Sequence, residues 1–162
     1  MLAVPLILTS SLCLAGCSTS HSSNQTMTKT YHVVDFLKYK GTYVGDNSAV
    51  GNILSMLPAH NYMAGFSLQT EHKPYGITVN YTENQKLGPD NYYDFWNSKK
   101  PDELLERNAA ALFSLVQNVD SIQFHVQDVG NFTYNRADLQ QKYGDLSSLL
   151  HDQSSFNNFL NG

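Results

Sequence analysis

A glycine-rich stretch ahead of an apolar run is the first feature whose residue types could do chemistry. Its three glycines are Gly41, Gly45 and Gly51. A nucleotide-binding P-loop has the form G-x-x-x-x-G-K-[S/T], in which the Lys binds phosphates and the hydroxyl binds magnesium. Here the last two glycines are one residue too far apart, Asn52 stands at the Lys position, and Asp46 would repel phosphate. The stretch predicts no nucleotide site, and we interpret Asp46 as the N-cap of a helix.

The histidines, serines and carboxylates form no known catalytic motif. No two histidines have the H-x-x-x-H or H-E-x-x-H spacing of a zinc site on a helix. No serine lies in G-x-S-x-G, and the S-x-x-K, S-D-N and K-T-G motifs of penicillin-recognising enzymes are absent. Carboxylates gather before and within a predicted helix start, where they favour the helix dipole. These carboxylates are Asp94, Asp102, Glu103 and Glu106. We therefore expect no catalytic residue, no metal site and no cofactor.

The aromatic segment Tyr92-Tyr93-Asp94-Phe95-Trp96 is the strongest remaining candidate for contact with a ligand. Dense aromatic side chains beside polar ones stack on sugars or anchor protein interfaces. The alternative is a hydrophobic lid that folds onto the core, and exposure decides between the two. The second candidate is the turn 42–47, which we expect to lie beside this segment. The predicted contact residues are Tyr43, Asp46, Asn47, Tyr92, Tyr93 and Trp96.

The N-terminus indicates where the protein is located. Residues 1–16 carry no charge, and Leu14-Ala15-Gly16-Cys17 resembles the lipobox of bacterial lipoproteins. This resemblance implies a signal peptide over residues 1–16, cleavage before Cys17, and lipid such as palmitate on that residue. Several acyl chains, at about 0.8 kcal/mol per buried methylene, give a stable anchor on the extracytoplasmic face of the cell membrane. The alternative is a buried apolar strand with Cys17 in the core.

A polar tether is predicted to follow the anchor. Residues 17–30 are rich in Ser and Thr, and a coil of this length reaches on the order of 20 Å. Cys13 lies in the part expected to be removed and Cys17 would be lipidated, so the folded domain, residues 31–162, is expected to have no thiol. Signal peptides normally begin with Lys or Arg. Because neither is present, we expect that the true start lies upstream or that the signal peptide is truncated.

The composition of the chain limits the classes of partner. Its 162 residues fit one ordinary domain, with 41% hydrophobic and 15% charged residues. The net charge is −4 and no basic patch runs along the chain, so we do not expect nucleic acid as a partner. No apolar run reaches the roughly 18 residues that a membrane span needs.

The pattern of apolar residues predicts helices alternating with pairs of strands. Apolar spacing predicts helices over residues 46–57, 101–116, 136–143 and 145–160, the last as one or two short helices. Period-two alternation predicts strands over residues 66–70, 77–82, 121–127 and 132–134. Residues 83–100 are interpreted as a connection, and Gly130-Asn131 as a two-residue hairpin loop. The predicted fold class is α+β, an antiparallel sheet of about four strands with helices packed mainly on one face.

Four segments resemble a family found in lipoproteins of Gram-positive bacteria, catalogued as domain of unknown function 4825. They are Tyr39–Pro58, Pro74–Tyr81, Glu106–Asp120 and Phe132–Tyr143. The resemblance implies no particular activity, because the family is uncharacterised. Related domains occur attached to metallopeptidase-type membrane receptors that sense antibiotics, which implies an extracytoplasmic sensing or interaction role.

These observations together predict a lipoprotein whose domain binds a ligand and is not an enzyme. The expected ligand is an envelope protein or a cell-wall component, and neither nucleic acid nor nucleotide is expected. Two alternatives remain open at this point: a small extracytoplasmic hydrolase-like enzyme using carboxylate and His residues, and a structural accessory protein.

Overall fold

The computed structural model describes residues 35–162, so the predicted signal peptide, Cys17 and the tether lie outside the described residues. In this range the helices are α1 (Asn47–Leu54), α2 (Pro89–Ser98), α3 (Pro101–Leu115), α4 (Arg136–Tyr143) and α5 (Gln153–Asn161). The strands are β1 (Met63–Gln69), β2 (Gly76–Tyr81), β3 (Ser121–Val126) and β4 (Gly130–Asn135). Short 3₁₀ helices lie at Leu37–Tyr39, His60–Tyr62 and Leu146–Leu150. The α+β class and the four-stranded sheet are confirmed.

The sheet is mixed, which corrects the prediction of an antiparallel sheet. Its strand order is β1-β2-β3-β4, with β1 antiparallel to β2 and β3 antiparallel to β4. The central pair, β2 and β3, is parallel. Parallel neighbours need a long crossover connection, which α2 and α3 together provide here. The prediction recognised each hairpin from local alternation, but the pairing between hairpins is a tertiary contact that local alternation does not specify.

Helix α2 occupies the segment that was interpreted as an irregular connection. It starts directly after Gly88, with Pro89 and Asp90 in the first turn. Proline and an acidic residue both suit a helix start, because the proline lacks the unpaired N–H and the carboxylate complements the dipole. Tyr92 and Trp96 are four residues apart and form the buried side of this helix. The missed signal was therefore a start motif followed by two aromatic residues at helical spacing.

The core lies between α3 and one face of the sheet. On β2 and β3 every second side chain is buried, and these inward residues meet the apolar side of α3. Small side chains at Ala109, Ala110 and Ala111 are fully buried. Each large apolar side chain buried in this way contributes roughly 1.5–3 kcal/mol to folding. The inward residues of the central strands are Ile77, Val79, Tyr81, Ile122, Phe124 and Val126.

Arg136 fixes the point at which α3 ends. Its guanidinium donates hydrogen bonds to the carbonyl oxygens of Phe113 (2.8 Å), Val116 (2.6 Å) and Val119 (2.8 Å). The last carbonyls of a helix have no partner within it, and a cation there also favours the dipole. Burial lowers the pKa of Arg136, while nearby Asp120 acts in the opposite direction. One side chain therefore joins the end of α3 to the start of α4.

Several predicted boundaries are confirmed and two are corrected. Asp46 caps α1 by accepting from the Ala49 backbone N–H at 2.9 Å, although the helix ends at Leu54 and does not reach residue 57. Gly144, with φ +76°, ends α4 as predicted. The loop between β3 and β4 is not Gly130-Asn131: it consists of residues 127–129, with Asp128 at φ +60°.

The described chain begins on the helical layer. The backbone N–H groups of Phe36 and Leu37 donate to the Gln153 side chain at 2.7 and 3.1 Å. Phe36 is buried and packs edge-on against Phe156 of α5, with ring centroids 5.2 Å apart. Residues 35–39 therefore belong to the packed domain.

Candidate functional site

Tyr92 and Trp96 of the aromatic segment are core residues, so two predicted contact residues are not available at the surface. Tyr92 is 1% exposed and Trp96 is 3% exposed. Trp96 packs against Tyr81, and Tyr92 donates a 2.8 Å hydrogen bond to the Gln127 carbonyl oxygen. Burial, with the charge of Asp128 next, raises the pKa of Tyr92 to about 12. For Tyr92 and Trp96 the hydrophobic lid was the correct alternative.

Tyr93 is the member of this segment that remains at the surface as a large exposed aromatic side chain. It is 42% exposed, and its hydroxyl donates to the Asp128 carboxylate at 3.2 Å. That hydrogen bond and the charge of Asp128 raise the pKa of Tyr93. Tyr93 therefore lies against the loop that joins β3 and β4.

The turn 42–47 is exposed only in part, because Val44 is buried within it, and it lies at a different place in the fold from the aromatic segment. Tyr43 is 60% exposed, and Asp46 and Asn47 are exposed beside it. Thr42 pairs with Val116, and the Val44 N–H donates to the Asn118 side chain at 2.7 Å. These contacts hold the turn against the segment that precedes β3.

The two predicted contact regions are not neighbours. The turn contacts the chain before β3, whereas α2 contacts Tyr81 and Gln127, at and beyond the other end of the central strands. A strand rises about 3.3 Å per residue, so roughly 20 Å of strand separates the two contacts. The expectation that turn and aromatic segment form one site is wrong.

A third surface, the open face of the sheet, was not recognised as a candidate in the sequence. We define it as the outward positions of all four strands, which the register aligns in three rows. The first row is Gly65, Asn80, His125 and Asn131; the second is Ser67, Thr78, Gln123 and Thr133; the third is Gln69, Gly76, Ser121 and Asn135. All twelve positions are exposed or partly exposed. No described helix or loop therefore buries this side of the sheet.

The open face carries neither charged nor large apolar side chains. Ten of its twelve positions are Ser, Thr, Asn, Gln or His, and the other two are glycine. Within the described residues, Asn135 is the one member whose side chain makes a hydrogen bond, to Asp138 at 3.2 Å. Amides and hydroxyls both donate and accept. The open face therefore presents side-chain donors and acceptors that, within residues 35–162, are almost all without a hydrogen-bond partner.

A shallow cavity adjoins one end of the open face. It has a volume of about 440 Å³ and is lined by residues 125–131, the β3–β4 loop with its flanking residues. His125 and Asn131 of the first row belong to its lining, as does Asp128, the partner of Tyr93. The first row therefore reaches the cavity, while Tyr93 contacts the lining residue Asp128 without itself belonging to the lining.

A cluster of titratable groups on the helical layer is fully paired. Glu106 accepts from Lys142 at 2.7 Å and from the Tyr143 hydroxyl. Burial acts to raise the pKa of Glu106, but the hydrogen bonds from Lys142 and Tyr143 outweigh it, and the net pKa lies below the usual range. Burial and the Asp102 hydrogen bond raise the pKa of Tyr134. The predicted helix-start carboxylates Asp102 and Glu106 thus stabilise contacts between α3 and the elements that follow it.

No three His, Cys, Asp or Glu side chains in residues 35–162 lie close enough together to hold a metal ion. No helix in the same range has the length and apolar character to cross a membrane.

Comparison with known families gave one match. Residues 36–137, more than half of the chain, match a family described as a domain of unknown function, DUF4825. No curated protein and no solved structure gave a significant match. The matched range includes the turn 42–47, α2 and the whole open face. The chain belongs to the DUF4825 family.

Proposed function

We propose that this protein is a lipid-anchored, extracytoplasmic binding protein whose domain engages a cell-envelope ligand through the open face of its sheet. The main support for a binding role is the open face itself. Its twelve aligned positions carry no charge, and within the described residues only one of their side chains makes a hydrogen bond. The lipobox ending at Cys17 supports the anchored location.

Support for binding over catalysis comes from the distribution of reactive groups. The histidines of the described range are exposed, at positions 60, 72, 125 and 151. The most strongly held carboxylate, Glu106, is engaged by Lys142 and Tyr143 on the helical layer. Catalysis needs a nucleophile or base within reach of a partner that activates it. The open face offers polar groups for recognition instead.

The arrangement of layers also favours display of the open face. The described chain begins on the helical layer, where Phe36 packs against Phe156. The open face lies on the opposite side of the sheet from that layer. The proposal takes this side of the described domain as the side that meets the ligand.

The anchored location is tested by a pair of cysteine variants in living cells. Wild-type protein should fractionate with membranes and incorporate a palmitate analogue, and Cys17→Ala should lose both because its sulfur is the acylated atom. Cys13→Ala is the matched control, because it changes a thiol in the segment expected to be removed, and it should behave as wild type. Membrane retention and labelling of Cys17→Ala would overturn the anchor.

A further inference from the structure

The charge and shape of the open face identify the class of ligand more closely. We propose that it binds an uncharged polysaccharide, along rows of amide and hydroxyl side chains that cross all four strands. This inference rests on the proposed function, which places the ligand in the cell envelope. Its test is separate, because it measures polysaccharide binding by the purified protein.

The absence of charge on the open face argues against ionic ligands. Nucleic acids, anionic polymers and phospholipid surfaces are held chiefly by Lys and Arg, and none lies in the three rows. Charged residues do occur close by, for example Glu71 and Lys73 in the loop between β1 and β2. The three rows therefore lack charge although the domain carries charge elsewhere. This lack of charge suits an uncharged ligand.

The absence of anchor side chains argues against a protein partner on the same face. Protein interfaces draw most of their affinity from Trp, Tyr and Arg side chains that fill pockets. The large apolar side chains exposed in the described range are Tyr43, Leu87, Tyr93 and Val129, and none of them belongs to the rows. A polymer whose surface is mostly hydroxyl groups needs no such anchor to form hydrogen bonds.

The spacing of the rows suits an extended polymer. Equivalent positions on neighbouring strands lie about 4.8 Å apart, so the middle row, in which all four positions are polar, presents polar side chains over about 14 Å. Asn, Gln, Ser and Thr donate and accept, as sugar hydroxyls do. Each such bond contributes little net free energy because it replaces a bond to water. Affinity should therefore rise with the length of the polysaccharide.

One end of the first row adjoins a cavity. His125 and Asn131 line this cavity of about 440 Å³ together with the β3–β4 loop, in which Asp128 accepts a hydrogen bond from Tyr93. We place the end of the bound polysaccharide in this cavity.

Retention of the full chain, purified in detergent micelles, on insoluble neutral polysaccharides tests the inference. The matrices are chitin, cellulose and cross-linked dextran, with heparin–agarose as the charged comparison. The variants are Gln123→Glu and Gln123→Lys, which place either sign of charge in the middle row. Their matched controls are Gln140→Glu and Gln140→Lys, exposed on α4. Circular dichroism melting verifies that every variant is folded.

We expect wild type to be retained on at least one neutral matrix and both Gln123 variants to bind about tenfold more weakly, which corresponds to about 1.4 kcal/mol. Both Gln140 variants should bind as wild type. The combined Asn80→Ala, Gln123→Ala and Asn131→Ala variant, which adds no charge, should lose at least as much. Binding should strengthen along a series of soluble oligosaccharides of increasing length.

Four results would overturn the inference. Retention on none of the neutral matrices excludes the ligand class, and retention of the wild type on heparin–agarose in preference to every neutral matrix indicates an anionic ligand. Equal loss in the Gln140 variants places binding elsewhere. Self-association that Gln123→Glu abolishes identifies a second copy of the chain as the occupant. A failure of the lipid-anchor proposal would be seen separately, in the membrane fractionation of Cys17→Ala. It would not change the retention of the purified chain on polysaccharide matrices.

Discussion

The two faces of the sheet are built from alternate residues of the same strands and carry opposite chemistry. The inward positions of β2 and β3 are apolar and at most 3% exposed, whereas the outward positions are polar or glycine and uncharged. Packing against α3 requires apolar residues on the covered face. Solvent exposure alone does not require an uncharged surface, since exposed surfaces commonly include Lys and Glu. The comparison therefore assigns stability to the covered face, and it is the open face on which the proposed recognition rests.

Truncation of a central side chain on the covered face should have the largest effect on stability. Phe124 is 0% exposed and contacts the rings of Tyr81 and Tyr134. Phe124→Ala should lower the free energy of unfolding by about 3–5 kcal/mol, because it removes apolar contact and leaves a cavity. The measurement is urea denaturation, with Thr133→Ala on the adjacent strand as the open-face control. Equal losses for the two variants would contradict the division between the faces.

Loss of the guanidinium that ends α3 should have the next largest effect. Arg136→Met keeps much of the side-chain volume but removes three hydrogen bonds to carbonyl oxygens. We expect the free energy of unfolding to fall by about 3 kcal/mol, because hydrogen bonds from a charged donor are lost and carbonyls are left unpaired. Lys99→Met, at an exposed position, is the control. Wild-type stability of Arg136→Met would show that the helical layer does not depend on this contact.

The paired carboxylate of the helical layer should make stability depend on pH. The pKa of Glu106 lies below its usual range in the folded protein, so its stabilising contribution is present above the unfolded value of about 4.3. That contribution is lost as the pH falls through the folded pKa. Glu106→Gln should therefore flatten this part of the profile of melting temperature against pH, while Glu71→Gln on an exposed loop keeps the wild-type profile. An unchanged profile in Glu106→Gln would contradict the assignment.

Substitution on the open face should have the smallest effect on stability. Gln123→Ala combined with Thr133→Ala should change the free energy of unfolding by no more than about 0.5 kcal/mol, because both side chains are exposed and make no described hydrogen bond. The measurement is the same urea denaturation, paired with polysaccharide retention. A loss of several kcal/mol would mean that this face also stabilises the fold and would remove the distinction between the two faces.

Local patterns in the sequence were sufficient for most elements of the fold. Helix α3 was predicted from Pro101 and its apolar periodicity, and α4 from Gly144 at its end. Asp46 was predicted as a cap from its side chain alone, and the capping hydrogen bond is present. Each of these sequence signals lies within a few residues of the helix end or cap that it determines. A single sequence is therefore sufficient to predict these features.

The missed features depend on contacts between distant residues. The sequence left Trp96 open between a surface contact and a hydrophobic lid, and its burial became clear only from its packing against Tyr81, fifteen residues earlier. The parallel pairing of β2 with β3 depends on the crossover that α2 begins. Alternating polar residues were visible in each strand, but their alignment into rows needs the register of all four. The open face could therefore not be assembled from the sequence.

The most direct measurement is chemical-shift mapping of the full chain in micelles during titration with soluble oligosaccharides of the neutral polysaccharide that retains it. The account predicts that the side-chain amide signals of Asn80, Gln123 and Asn131 move together with one affinity, while that of Gln140 stays fixed. Shifts should also appear at Tyr93 beside the cavity. Movement confined to the turn 42–47, or no movement at all, would contradict the claim that the open face is the binding surface.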